Sequence, residues 1–144
     1  MSSDDKAIEK ALQSKTIAVV GLSNNPDRPS YDVANYLKSH GYRIVPVNPT
    51  IAEVLGEKSY KSLRDLPDQL RREIEVVDIF RRPEEIPPIV AEAVQLHMSS
   101  SNPKVVWMQL GIVNESAAQT ARQAGMDVVM DRCMKIEHGK RSGL

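Results

Sequence analysis

The chain has 144 residues, 19 of them basic and 19 acidic, which suits one ordinary domain burying roughly two thirds of its unfolded surface. The balanced charge excludes a global field for nucleic acid or an anionic membrane surface, and no apolar run approaches the roughly 20 residues of a membrane helix. One cysteine, Cys133, excludes an internal disulfide and a cysteine zinc cluster and agrees with a reducing cytoplasm.

The first residues, MSSDDKAIEKALQS, are amphipathic and acidic, unlike a signal peptide. Ser3 is placed to cap a short helix with Ile8, Ala11 and Leu12 on one face. Five apolar runs of strand length follow, at 16–21, 42–47, 75–80, 104–109 and 127–131. Helical patterns separate most of them: Val33, Tyr36, Leu37 and His40 share a face, as do Ile86, Ile89, Val90, Ala93 and Val94, and then Ala117, Ala118 and Ala121. Gly41 and Gly125 stand where helix C-caps belong.

Strands alternating with helices through short links predict an α/β fold: parallel strands joined by crossover helices. The runs are continuous rather than alternating, as strands covered on both faces require. The expectation is a doubly wound, Rossmann-like five-stranded parallel sheet ordered 3-2-1-4-5 with helices on both faces. Pro46 belongs near the end of the second strand, where pairing stops. EVLGEKSY suggests a small excursion, SLRDLP a short helix stopped by Pro67, and LHMSSSNPK a flexible loop.

Ligands of such sheets bind beyond the carboxyl ends of the strands, where strand order reverses. That edge collects Gly21-Leu22-Ser23, Val47-Asn48-Pro49, Phe80-Arg81-Arg82, Gln109-Leu110-Gly111 and Asp131-Arg132-Cys133. Gly21 allows a sharp turn, and a helix beginning near Ser30 offers free N–H groups and a positive dipole end. Ser23 and Asn24 add donors, Pro26 and Pro29 stiffen the loop, and Arg28 presents a planar fork for phosphate. Singly, Ser30 reads as a helix cap and Arg28 as a solvated charge; the whole loop, following an apolar strand, reads as an anion site. Two absences oppose NAD: the three-glycine fingerprint is missing, and the second strand ends VPVNPT without an acid. No glycine-lysine-serine or glycine-lysine-threonine follows Gly21, so no Walker loop is present. Arg81 and Arg82 beside Phe80 suit a further phosphate and an adenine or its ribose. Coenzyme A carries that charge pattern.

The segments VVGLSNNPDRPSYDVANYL, GYRIVPVNP, SLRDLP, EVVDIFRRPEE, VVWMQLGIVNESAAQTARQAG and VVMDRCMKIEH occur in order between Lys15 and His138. With them the chain resembles the small CoA-binding proteins, relatives of the CoA-binding domain in the alpha subunit of succinyl-CoA synthetase. The resemblance implies one CoA-binding Rossmann-type domain over 1–144, with an N-terminal helix in 1–14 and a C-terminal tail in 132–144. It implies that CoA or an acyl-CoA is held by Gly21, Ser23, Arg28, Ser30, Tyr31, Val47, Asn48, Pro49, Phe80 and Arg81, with Gln109 and Gly111 in the pocket floor. The synthetases phosphorylate a histidine in a separate ligase domain, which these residues do not include. The first loop also lacks the lysine that helps hold CoA phosphate there, leaving that task to Arg28.

No catalytic set and no metal site are expected. Cys133 next to Arg132 suggests thiol exchange with CoA, against the plainer reading of a packed, inert thiol. His40, His97 and His138 lie on different elements without metal-ligand spacing. Asp78 needs a partner if buried, Asp131 with Arg132 suggests a structural salt bridge, and Trp107 packs a helix on the sheet. Three roles follow: a CoA carrier, sensor or accessory module, an acyl- or thiol-transfer enzyme using Cys133 or a partner, and an interaction module with a decayed nucleotide site. A monomer and a weak homodimer both suit this sequence, with a protein partner left open.

Overall fold

The computed structural model describes residues 3–141; the side chain of Ser3, and with it the expected cap, falls outside the described residues, as does 142–144. The strands are β1 (Thr16–Val20), β2 (Arg43–Val47), β3 (Glu53–Val54), β4 (Glu57–Lys58), β5 (Val76–Ile79), β6 (Val105–Met108) and β7 (Asp127–Val129). The α-helices are α1 (Ser3–Leu12), α2 (Pro29–Ser39), α3 (Asp68–Glu73), α4 (Ile86–Ser100), α5 (Glu115–Gln123) and α6 (Met134–Arg141).

Five strands form a parallel sheet in the order β2-β1-β5-β6-β7. Numbered over the five long runs this is 2-1-3-4-5, which corrects the expected 3-2-1-4-5. The position outside β2 is filled, but only by Tyr60: its N–H donates to the Pro46 carbonyl at 3.1 Å, and its own carbonyl accepts from Asn48 N–H at 2.8 Å. The segment there has no strand-length apolar run, and the third long strand, β5, pairs with the other edge of β1. Pro46 sits within β2, its ring nitrogen on the outward edge where only this single bridge forms.

The excursion after β2 is a two-stranded hairpin, β3-β4, turned by Leu55 and Gly56 at φ 56° and 75°. SLRDLP gives one 3-10 turn at Leu63–Asp65; Pro67 then opens α3 instead of ending the structure. The expected flexible loop is largely helical, because α4 runs on to Ser100, and the expected tail contains α6.

Side chains alternate across the sheet. Ala18, Val20, Val77, Ile79, Val106 and Met108 pack with α3, α4 and α5 on one face. Ile17, Val19, Val76, Val105, Trp107 and Val129 pack with α1, α2 and α6 on the other. Asp78, between Val77 and Ile79, therefore projects among the second set, flanked in register by Val19 and Trp107. Gly41 and Gly125 take φ 94° and 96° directly after α2 and α5, as C-cap glycines do.

Candidate functional site

The chain leaves β1 toward β2 on one side, and β5 lies on the other, so the loops diverge above the β1–β5 pair. There a cavity of about 720 Å3 opens, within the range of roughly 300–1,000 Å3 usual for ligand sites. Gly21, Ser23, Arg28, Ser30, Phe80 and Arg81, six of the expected binding residues, line it together.

Gly21 at φ 86° is required by contact as well as by conformation. A Cβ there would come 2.3 Å from the Phe80 carbonyl oxygen and 3.3 Å from Arg81 Nε. The missing side chain lets the β1 loop touch the end of β5 and leaves room for the Arg81 stem. From Gly21 the loop is fastened by its own polar groups. Ser23 N–H donates to Ser30 Oγ, Asn25 N–H to Ser23 Oγ, and Asp27 N–H to Asn25 Oδ1, each at 3.0 Å. Ser30 therefore ties the loop down rather than capping the helix.

Helix α2 begins with Arg28 as N-cap and Pro29 in its first turn, and no side chain caps it. The amides of Ser30 and Tyr31 lie in that first turn, where helix geometry provides no partner. Of the rim arginines, Arg82 pairs with Glu84 and Glu85, both at 3.5 Å. Arg28 and Arg81 have no acidic partner among the described residues. Two free guanidinium groups beside an uncapped helix start fit an anionic ligand such as a diphosphate.

The part of the lining contributed after β6 and β7 is neutral. Gln109, Leu110, Ile112 and Cys133 line it, and Cys133 is 9% exposed. Gln109 Oε1 accepts from Met134 N–H at 2.9 Å, joining β6 to the start of α6. Gly111, expected beside Gln109 in the floor, is exposed and instead donates its N–H to Asp131 Oδ1 at 2.7 Å. Asp131 thus ties down the loop after β6 and does not pair with Arg132, which lies 3.8 Å from Glu137.

Four expected residues stand apart. Tyr31 packs half-buried on the α2 side of the core. Asn48 is buried and turned inward: Nδ2 donates to the Leu22 carbonyl at 3.0 Å, and Oδ1 accepts from Thr50 N–H and Oγ1. It fastens the β1 loop to the end of β2. Val47 and Pro49 line a second cavity of about 180 Å3, bordered also by Lys61, Ser62 and Arg81. Arg81 is therefore the wall shared by the two spaces. Lys61 went unnoticed in the sequence because its place depends on the one-residue bridge at Tyr60; it restores a lysine to the neighbourhood of the site.

Asp78 is fully buried, and neither carboxylate oxygen has a hydrogen-bond partner. Burial pushes its pKa well above the ordinary carboxylate value; the Ile79 amide opposes this but falls outside hydrogen-bond geometry. Trp107 is also fully buried, donating Nε1–H to the Arg132 carbonyl at 2.7 Å. His40 and His138 meet across α2 and α6 with ring centroids 5.0 Å apart, and Tyr36 Oη lies 2.8 Å from His138 Nδ1. Burial, then the neighbouring His40, lowers the pKa of His138.

A five-stranded parallel sheet flanked by helices, with an arginine-lined cavity over its β1–β5 switch point, defines a Rossmann-like α/β domain. A sequence model described as CoA binding domain matches residues 15–139, and the chain belongs to that family. It is 42% identical over 140 residues to the uncharacterized protein YneT of Bacillus subtilis (strain 168), covering 96% of this chain and 97% of that protein. The crystal structure of Prb, the PH1109 protein redesigned for binding, superposes with TM-score 0.87 at 39% identity, covering 100% of this chain and 95% of that one. A shorter match, 42% identical over 62 residues, joins 42% of this chain to 14% of the alpha subunit of the ADP-forming acetate–CoA ligase II of Pyrococcus furiosus. Among the described residues no helix is long and apolar enough to cross a membrane.

Proposed function

We propose that the chain binds coenzyme A or an acyl-CoA in the cavity above β1 and β5, as a carrier, sensor or accessory module. The observation that carries this reading is the pair of unpartnered arginines, Arg28 and Arg81, at the uncapped start of α2, in a chain of the CoA-binding family. In this reading Arg28 and the first amides of α2 hold the diphosphate. Arg81, with Lys61 across the smaller cavity, meets the additional phosphate. Phe80 packs against the adenosine, and Gly21 keeps the loop close enough for both arginines to act together. Ser23 and Asn48 hold the loop in shape, which reduces the ordering cost of binding.

The test is calorimetric titration under reducing conditions with CoA, dephospho-CoA, NAD and ATP. The expected result is CoA bound most tightly, with dephospho-CoA clearly weaker. Absence of heat with all four, together with no thermal shift, would refute the reading and favour an interaction module.

A further inference from the structure

We propose that Gln109 is a specificity-determining residue of this site, its Nε2 donating to a carbonyl oxygen on the neutral arm of the bound ligand. The inference rests on the CoA reading and adds which part of the ligand the cavity floor recognises.

Gln109 is only 4% exposed, yet its carboxamide is half satisfied. Oε1 accepts from Met134 N–H at 2.9 Å. Because an amide N–H must meet an oxygen, this bond assigns the two ends of the carboxamide and leaves Nε2 on the other side. Nε2 has no hydrogen-bond partner within the described residues. Nor is it sealed in: the side-chain atoms there that are both enclosed and unpartnered belong to Asp78 and Asn102. Gln109 borders the cavity, and in this assignment its remaining donor is directed into that space. A donor open to the cavity is met there by solvent until a ligand acceptor replaces it, which adds a hydrogen bond specific to that acceptor.

The surroundings limit the class of acceptor. The charged side chains lining the cavity are arginines on the loops after β1 and β5, whereas Leu110, Ile112 and Cys133 stand near Gln109 after β6 and β7. A ligand with both an anionic and a neutral part matches this mixed lining. Past its diphosphate, CoA continues as a neutral arm bearing amide carbonyls, and acylation adds a thioester carbonyl. A neutral carbonyl suits a carboxamide donor in such walls; a further phosphate would lack a compensating cation.

Gln109→Met and Gln109→Glu test this. Methionine keeps the volume and removes both the donor and the acceptor of Met134 N–H, so the fragment titration controls for the lost tie. Glutamate keeps an acceptor for Met134 N–H and turns a second acceptor toward the ligand. Each variant is titrated with CoA, acetyl-CoA and the nucleotide fragment of CoA that ends at the diphosphate. The expected result is fragment affinity equal to wild type, which also reports an intact site. CoA or acetyl-CoA should weaken by about three- to tenfold in the methionine variant, and by more in the glutamate variant. Loss already seen with CoA assigns an amide carbonyl; loss confined to acetyl-CoA assigns the thioester. Unchanged affinity for both, or an equal loss for fragment and whole ligand, would overturn the role of Gln109 while leaving CoA binding intact. A wild type that binds neither CoA nor fragment would overturn the reading beneath it.

Discussion

Asp78→Val should make the protein more stable, and increasingly so as pH rises. The carboxyl lies in the middle of the sheet between Val19 and Trp107, with both oxygens unpartnered and no exposure. Valine is nearly isosteric, suits a strand and joins valines already packed on that face. Removing a buried unsatisfied polar group recovers about 1–3 kcal/mol. The pH dependence follows from the raised pKa. Between the unfolded value near 4 and the higher native value, the folded protein binds more protons than the unfolded chain. The contribution of Asp78 is thus most favourable below that unfolded value and is lost as pH rises through the native one. The variant has no such group, so its advantage should be smallest near pH 4 and greater near pH 8. Urea denaturation of both proteins at the two pH values measures the difference. A gain that is flat with pH, or a variant less stable by more than about 1 kcal/mol at both, would mean that Asp78 has a partner in solution and that the argument is wrong.

Other expectations concern the site. Gly21→Ala meets the Phe80 carbonyl in a left-handed backbone conformation; denaturation should show a loss of about 2–5 kcal/mol, with CoA binding reduced. Arg28→Ala and Arg81→Ala should each weaken CoA by about 1–3 kcal/mol in calorimetry. Arg82→Ala, already paired with Glu84 and Glu85, should change it by less than about 0.5 kcal/mol. Asn48→Ala strands the Leu22 carbonyl and frees the loop, so chemical denaturation should register a loss of about 1–3 kcal/mol.

Much of this architecture was legible because periodicity records burial. Val19-Val20, Val76-Val77 and Val105-Val106 are continuous apolar runs, as strands covered twice must be, and Gly41 and Gly125 mark the helix ends. The order of the strands was not, since Ile17 and Ile44 look alike whichever neighbour they have, and the one-residue bridge that borders β2 at Tyr60 has no periodicity to announce it. Helix α6 was missed for a related reason. Its second half, EHGKR, reads as polar, yet Glu137 is buried because Arg141 reaches it at 2.5 Å. The anion loop could be read because Gly21, Arg28 and Ser30 are close in sequence. The neutral floor joins the loop after β6 to Cys133 just before α6, and its free donor is identified by the hydrogen bond to Met134.

The bridge at Tyr60 has a consequence for solubility. A parallel sheet ends in a row of unmatched amides and carbonyls that invites a strand from another molecule. At β2 the invitation is withdrawn: Pro46 has no hydrogen to offer, and Tyr60 takes up the Pro46 carbonyl and the Asn48 amide. At the far edge β7 is only three residues long, too brief a template for a stable addition. The sheet is thus blunted at both margins, which disfavours association of copies of this chain by extending the ladder.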